Sequence, residues 1–337
     1  MQRRAFLEET LSYLLKTDYP HERLEVFVVD GGSTDGSESV VRACDESSDI
    51  AFRWHSDPAL RVAAARNHAI ENSTAEVLVF LDDDCITEPG WIHALVAGLR
   101  EGEADIAGGT DVAPPDEPFL ARCEDVAFRS LIGSGGVRGG TAVSLTDFCP
   151  MTCNMAMRRE KLRALGAFDG SMREVEDTEL VYRAKAAGLR VRYVPEATVQ
   201  HRRRASLRLI CIHNYVRGVG RSYLRRKYPG ERQAAFFVPG AALMLGVLLA
   251  CIGFVVPVAW WVMLAGVLVY GLLLTLTAVQ GLGTVRRPAA LFVVPTLVAL
   301  HHFCYGIGTL IGPITGYRRI MAASTVGLRG LFGAHRR

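Results

Sequence analysis

Charge is missing from two long stretches of this chain. From Gln233 to Val285, 53 residues pass without one Asp, Glu, Lys or Arg, and from Pro288 to Tyr317 another 30. About 20 apolar residues span a bilayer, so the first stretch holds two helices, divided near Pro257, and the second holds one. A multi-pass cell-membrane protein is expected. Paired cysteines are missing too. The eight cysteines are scattered, Cys149 and Cys153 being the nearest approach to a motif, which excludes a disulfide framework or zinc ribbon and reads as free thiols in the core of a cytosolic domain. No secretory signal pattern opens the sequence. Nor does any nucleic-acid motif accompany its basic clusters. These lie at Arg202 to Arg232 and after Gly316, where five Arg stand without an acid. Both flank the apolar stretches, so membrane lipids are the expected partner and nucleic acid is not.

With half of its 337 residues apolar, the chain can bury one sizeable domain besides its membrane part. Before the first span, short apolar runs alternate with helical stripes. Arg4 to Lys16 carries Phe6, Leu7, Leu11, Leu14 and Leu15 on one helical face. Leu24 to Val29 reads as a buried strand and is followed by a helix to about Cys44. Ile50 to Trp54 is a weaker strand, Arg61 to Glu71 a helix, Val77 to Leu81 a strand and Ala104 to Thr110 another. Such alternation implies an α/β doubly wound sheet. After Pro114 the pattern loosens. Ile132 to Asp147 is rich in Gly, Ser and Thr and is either a loop over a site or a linker. Helices return near Arg158 to Leu165 and at Val175 to Ala187, capped by Gly188, and a strand runs from Val191 to Val199. Ser206 to Tyr228 mixes apolar and arginine positions like a helix lying on a membrane surface. The expected divisions are a catalytic domain over 1–204, an interfacial segment over 205–232, a membrane region over 233–317 and a basic tail over 318–337.

Chemistry concentrates where strands end. Val77 to Leu81 runs into Asp82-Asp83-Asp84. Three carboxylates at the carboxyl end of a strand repel one another and need a cation; hard oxygen donors there suit Mg²⁺ or Mn²⁺ carrying a diphosphate. The same acids also fit a solvated turn that caps the helix starting near Pro89. Val29 leads into Asp30-Gly31-Gly32-Ser33-Thr34-Asp35-Gly36, a turn whose glycines allow close backbone approach to a ligand. Arg66 and Asn67 sit on a helix, as ligand contacts or as plain surface residues. Glu176-Asp177 opens another helix, where acids are also favoured by the helix dipole. His301-His302 are polar groups inside the last span, better explained by partners within a bundle than by catalysis.

Taken in order, Val29 to Gly36, Ala65-Arg66-Asn67-His68-Ala69, Leu81 to Asp84, Glu176-Asp177 and His201 resemble the family 2 glycosyltransferases with a GT-A fold. With the trailing spans, the chain is most similar to the membrane-bound bacterial subgroup that includes succinoglycan-type enzymes. The resemblance covers about Ala5 to Tyr228. It implies a GT-A-type doubly wound mixed sheet followed by a transmembrane region, a nucleotide-sugar donor, a divalent metal (Mg²⁺ or Mn²⁺) and a lipid-linked or glycan acceptor. Carried onto these positions, it makes Asp84 the metal ligand with His201 beside it. Asp82 contacts the ribose, Asp83 fills the variable middle place, Asp30 contacts the base and Gly32 belongs to the nucleotide turn. Arg66 lies by the nucleotide, Asn154 and Arg158-Arg159 near the donor sugar and acceptor. Asp177 is the base of an inverting transfer, with Glu176 as its understudy.

Two departures qualify this. Gln200 and Arg203 keep the spacing of the processive signature, but Arg204 replaces its Trp, which favours one sugar per encounter. The family also begins with a central strand, whereas this sequence opens on the helix after it; a shortened or misassigned start is therefore expected. The spans leave one point of topology open. With a cytoplasmic catalytic domain, the Arg286-Arg287 turn falls inside as the charge rule requires, but the third span exits while its arginine-rich tail prefers the inside. Two other classes stay in view, a catalytically impaired transferase-like binding protein and a phosphotransferase using the acidic strand end.

Overall fold

A computed structural model describes residues 3–100, 104–136, 148–172, 174–229 and 234–315. They fall into two compact units. One gathers the chain up to Pro114 together with Phe148–Arg202; the other takes residues 115–136 and the chain from Arg203 onward. This division differs from the expected break at 204. A helical segment lying between strands of the first unit in sequence belongs to the unit that holds the spans. The basic tail and the greater part of the glycine-rich stretch, residues 137–147, lie outside the described residues.

The first unit opens with α1 (Arg4–Leu14), whose stripe buries Leu7, Leu11 and Leu14. Then come β1 (Glu25–Asp30), α2 (Ser37–Ser47), β2 (Ala51–Ser56), α3 (Val62–Asn72) and β3 (Val77–Phe80). Past the three acids follow β4 (Cys85–Thr87), α4 (Trp91–Gly98), β5 (Ile106–Gly108) and β6 (Asp111–Val112). The chain contributes α5 (Phe119–Arg129) and α6 (Leu131–Ser134) to the second unit, then supplies β7 (Met155–Arg158), α7 (Arg159–Ala164), α8 (Glu176–Ala186), β8 (Val191–Tyr193) and β9 (Val199–His201) to the first.

These strands make three sheets. β1 and β2 form a parallel pair; β3-β7-β5-β8 is a mixed sheet in which β7 runs antiparallel to both neighbours; β4-β9-β6 is a small third sheet. Sequence periodicity suggests β1 and β3 as strands buried on both faces, yet both are only half-buried. Each pairs on one side alone among the described residues, so an edge of each stays open. One apolar core joins α1, α2, α4 and the β1–β2 pair, and a second lies under α3, α7 and α8 around Phe168, Met155, Met157 and Leu180.

In the second unit α9 (Leu207–Lys227) is followed by α10 (Val238–Gly253), α11 (Val258–Val285) and α12 (Ala290–Thr315). The last three carry helices long and apolar enough to cross a membrane: Ala234–Gly253, Val258–Val285 and Ala290–Ile314. Pro257 caps α11, the division expected from the sequence. α9 does not stand alone as a surface helix. It packs along α12 so closely that a Cβ on Gly218 would lie 2.2 Å from the Tyr305 carbonyl, and one on Gly308 2.2 Å from that of Tyr215. Small residues let two backbones meet where larger ones hold them apart. α5 buries Cys123, Val126 and Ala127 in one cluster with Ile210, Val294, Leu297 and Val298. The paired histidines of α12 are partnered. His301 Nε2 lies 2.8 Å from Glu124 of α5, while His302 meets the Ile132 carbonyl and the Tyr270 hydroxyl, both at 2.8 Å.

Candidate functional site

The three acids after β3 have different fates, set by what surrounds each. Asp83 pairs with Arg3, whose guanidinium also lies 3.5 Å from Asp84. That pairing answers the surplus charge of the middle position. Asp82 accepts a hydrogen bond from Arg66 of α3 at 3.2 Å, and the same guanidinium donates to Glu176 of α8 at 2.7 Å. Acids 94 residues apart in sequence therefore close on one arginine. Burial works against the charge on Arg66, but Asp82, Glu176 and Asp177 outweigh it and hold the guanidinium protonated above its ordinary range. Its plane also lies 5.6 Å from the Phe168 ring.

The backbone delivers Glu176 and Asp177 under strain. Val175, just before α8, has φ 59° and ψ 23°, a left-handed conformation unusual for a β-branched residue. Asn67 fixes the loop upstream by a two-point bond, donating to the Phe168 carbonyl at 2.8 Å and accepting from its N–H at 2.9 Å. It is a pin for that loop rather than a ligand contact. Arg183 anchors the far side of α8 through Glu179 and the carbonyls of Leu165 and Ala167. Burial, then the neighbouring Asp177, push the Glu176 carboxyl above the usual range against the pull of Arg66. Asp177 is buried, its Oδ1 accepting from the Thr178 N–H at 2.6 Å.

Register accounts for His201. β9 runs antiparallel to β4 with His201 opposite Cys85, so the imidazole falls beside Asp84, Nε2 to Oδ1 at 3.2 Å. β6 flanks β9 on the other side, and Asp111 Oδ2 lies 3.6 Å from His201 Nδ1. Donor atoms of Asp84, Cys85 and His201 lie within 4.8 Å of one another, and so do those of Asp111, Cys153 and His201. Burial alone would discharge His201, yet Cys153, Asp111 and Asp84 hold its pKa well above the ordinary value. The cluster is therefore short of positive charge. Carboxylate and imidazole donors at a strand end fit a hard divalent ion, and the hydrogen bond to Cys153, then burial, push the Cys85 thiol well up, which withholds it from the Asp84 and His201 pair.

Asp30 and Gly32, expected at the nucleotide, form a turn of their own. Asp30 Oδ2 accepts from the N–H groups of Gly32 and Ser33 at 2.8 and 2.7 Å and from the Ser56 hydroxyl at 2.9 Å. Burial opposes ionisation of Asp30, but Ser33, Ser56 and Gly32 together hold its carboxyl below the usual range. Gly32 has φ +89°, and a Cβ there would come within 2.7 Å of the Pro58 ring, so only glycine suits the turn. Neither residue is hydrogen-bonded to the Arg66 cluster.

Three expected contacts lie elsewhere. The Asn154 amide is spent in the core, accepting from the Trp91 indole N–H at 2.9 Å and donating to the carbonyls of Thr110 and Ala197. Antiparallel pairing of β7 with β3 puts Arg158 opposite Val77, at the end of the strand away from the acids. Arg158 there pairs with Glu76, and Arg159 donates to the Ser73 carbonyl at 2.8 Å. The sequence reading missed β7, because Met155-Ala156-Met157 has no β-branched residue to mark a strand, and missed Asp111, whose two-residue strand gives no period.

With this geometry in view, the comparisons with known proteins converge. Residues 1–166 match the model of "Glycosyl transferase family 2". The succinoglycan biosynthesis protein ExoM of Rhizobium meliloti is 30% identical over 246 residues, 69% of this chain and 75% of that protein. The chain belongs to glycosyl transferase family 2. Another succinoglycan biosynthesis protein of that organism, ExoA, is 29% identical over 79% of this chain and 81% of its own length. The pre-mycofactocin glycosyltransferase of Mycobacterium tuberculosis is 30% identical over 67% of the chain, which spans only 47% of that longer relative. Among solved structures, the mannosyltransferase PcManGT of Pyrobaculum calidifontis superposes with a TM-score of 0.61, covering 91% of this chain and 83% of its own, at 20% identity. The fold of this family 2 transferase is thus of the GT-A type, with apolar helices after it.

Proposed function

We propose that this transferase is a membrane-anchored, inverting enzyme that moves a hexose from a nucleoside-diphosphate sugar to a lipid-linked or surface-polysaccharide acceptor, one sugar per encounter, with its catalytic unit on the cytoplasmic side. The observation that carries this reading is Arg66, whose guanidinium joins the acidic end of β3 to the acidic start of α8. Through it the two acidic segments would serve the two parts of one displacement. Asp82 and Asp30 orient the nucleotide. A divalent ion bound by Asp84 and His201 would supply neutralisation of the departing diphosphate. Arg66 occupies the Glu176 carboxylate, which leaves Asp177 to take the acceptor's hydroxyl proton. The acceptor oxygen bonds to the anomeric carbon as the bond from that carbon to the diphosphate oxygen breaks on the opposite face, and inversion follows.

Support for the donor and ion comes from the PcManGT structure, which is a complex with GDP-Man and Mn²⁺. ExoA and ExoM, both succinoglycan biosynthesis proteins, favour a glycan acceptor. The spans and the basic residues of α9 would hold the site at the bilayer, raising the effective concentration of a lipid acceptor. The test is a donor screen in membranes carrying the full chain, with and without Mn²⁺, scored by nucleoside diphosphate release. Asp177→Asn should lower transfer by about 10²-fold or more, and a chelator should abolish it. Metal-independent release, or full transfer by the Asp177→Asn variant, would refute the reading.

A further inference from the structure

We infer that Asp111, outside every motif of the sequence, is a positioning residue that orients His201 for metal binding; this rests on the reading of Asp84 and His201 as the metal site. The argument begins with the third sheet. β9 lies between β4 and β6, so its last residue, His201, is flanked by Cys85 of β4 and reaches back toward the start of β6. The two ring nitrogens are thereby given different neighbours. Nε2 faces Asp84 at 3.2 Å, and Nδ1 faces Asp111 at 3.6 Å. Nδ1 is buried and makes no hydrogen bond of normal length, while the Asp111 residue is only 2% exposed.

A buried carboxylate aimed at a buried ring nitrogen has a specific consequence. With a proton on Nδ1 directed at Asp111, the lone pair resides on Nε2 and points to the Asp84 side, the tautomer that a metal ligand needs. The carboxylate also makes the imidazole more basic. Outer partners of this kind are worth about 10- to 100-fold in metal affinity. Cys153 also lies near the ring, its Sγ within 4.8 Å of a His201 nitrogen and of an Asp111 oxygen. Sulfur is a weak hydrogen-bond acceptor beside a carboxylate oxygen, so the orientation falls to Asp111. The backbone keeps the two residues in reach. Asp111 pairs with Val199 in parallel register, and Gly109 before it approaches the Ala197 carbonyl so closely that a Cβ would sit 1.7 Å from it.

The experiment is Mn²⁺ titration of the purified full chain, free Mn²⁺ being read by electron paramagnetic resonance and bound Mn²⁺ by the spin-echo modulation of a coordinated ¹⁴N. Asp111→Asn keeps the shape and removes the charge; Asp111→Ser replaces it if that variant does not fold. The expected result is a Kd raised about 10-fold or more in a variant that still melts cooperatively without metal, Asp111→Glu recovering most of the affinity and Cys153→Ala staying within about twofold of wild type. A Kd for Asp111→Asn within about twofold of wild type, with His201→Ala clearly weakened, overturns the role of Asp111. Wild-type-like binding by both Asp84→Asn and His201→Ala would instead remove the metal site itself, and the inference with it.

Discussion

At the scale of single residues, Arg66 is the position on which both acidic clusters depend. Its side chain is only 15% exposed, so truncation leaves Asp82 and Glu176 facing each other without a cation. Arg66→Ala should cost about 3–5 kcal/mol of stability and cut nucleoside diphosphate release by at least about 10²-fold. Arg66→Lys should rescue little, since an ammonium cannot direct two donors in a fixed fork. Thermal melting and a release assay on both variants check this; a lysine variant with near wild-type activity would show that the bridge is dispensable. Glu176 gives a prediction with a pH sign. Its folded-state pKa is raised, so the folded protein binds that proton more tightly than the unfolded chain does. The group favours folding at pH below its unfolded value and loses that advantage as pH rises through the folded value. Glu176→Gln should therefore melt higher than wild type at pH 8, the gap shrinking as pH falls toward 4. A gap that widens on acidification would contradict the burial argument. Position in the fold was legible in the sequence where an acidic run follows a long apolar strand, as for Asp82 and Asp84 after β3, or opens a helix, as for Glu176. It was not legible where a side chain's partner is set by register. Asn154 and Arg158 have polar types that fit a sugar site, yet β7 turns one into the core and places the other at the wrong end of β3.

At the scale of elements, the alternation of strand and helix through β3 could be read, because each apolar run there is long enough to show a period. Three-residue strands carry no period. β4 and β9 are of that length and β6 is shorter still, and the small third sheet that they build was invisible for that reason, although it places His201. α5 was missed for another reason. Its stripe includes Glu124 and Asp125, which count as polar in any pattern but are buried against His301 and Arg203. The crossing of α9 and α12 was hidden as well, since glycine in a helix reads as a weakness until its partner is known. That crossing can be tested. Gly308→Leu places a branched side chain where the Tyr215 carbonyl and the Gly218 Cα already stand, and should cost about 3 kcal/mol. Gly271→Leu, in α11 with open space at its Cβ, is the matched control and should stay within about 0.5 kcal/mol. Melting in detergent separates them. Since leucine is the better helix former at both positions, equal loss in both would mean that the close approach of α9 and α12 does not set the effect.

At the scale of the whole molecule, order along the chain and membership of a unit are different things. A boundary at 204 is the natural reading of the sequence, because the spans lie beyond it. The structure assigns residues 115–136 to the second unit despite their place between strands of the first. The reason is apolar. Cys123, Val126 and Ala127 are buried against Ile210, Ala290, Val294, Leu297 and Val298, all of them beyond 204, and Glu124 finds its partner in His301. A chain cut after Arg204 keeps every motif residue but strips α5 of that cluster and leaves a carboxylate without its imidazole. Burial of each such aliphatic side chain is worth about 1.5–3 kcal/mol, and α5 alone has too few partners left to hold its fold. The cut chain should therefore be recovered only in detergent, with proteolysis falling first between Pro115 and Gly136, while replacing that segment by a short Gly-Ser linker should restore solubility. Gel filtration and limited proteolysis of the two forms decide it. If the simple truncation is monomeric, soluble and protease-resistant across α5, then that helix belongs to the catalytic unit after all, and its packing on the spans is incidental to the fold.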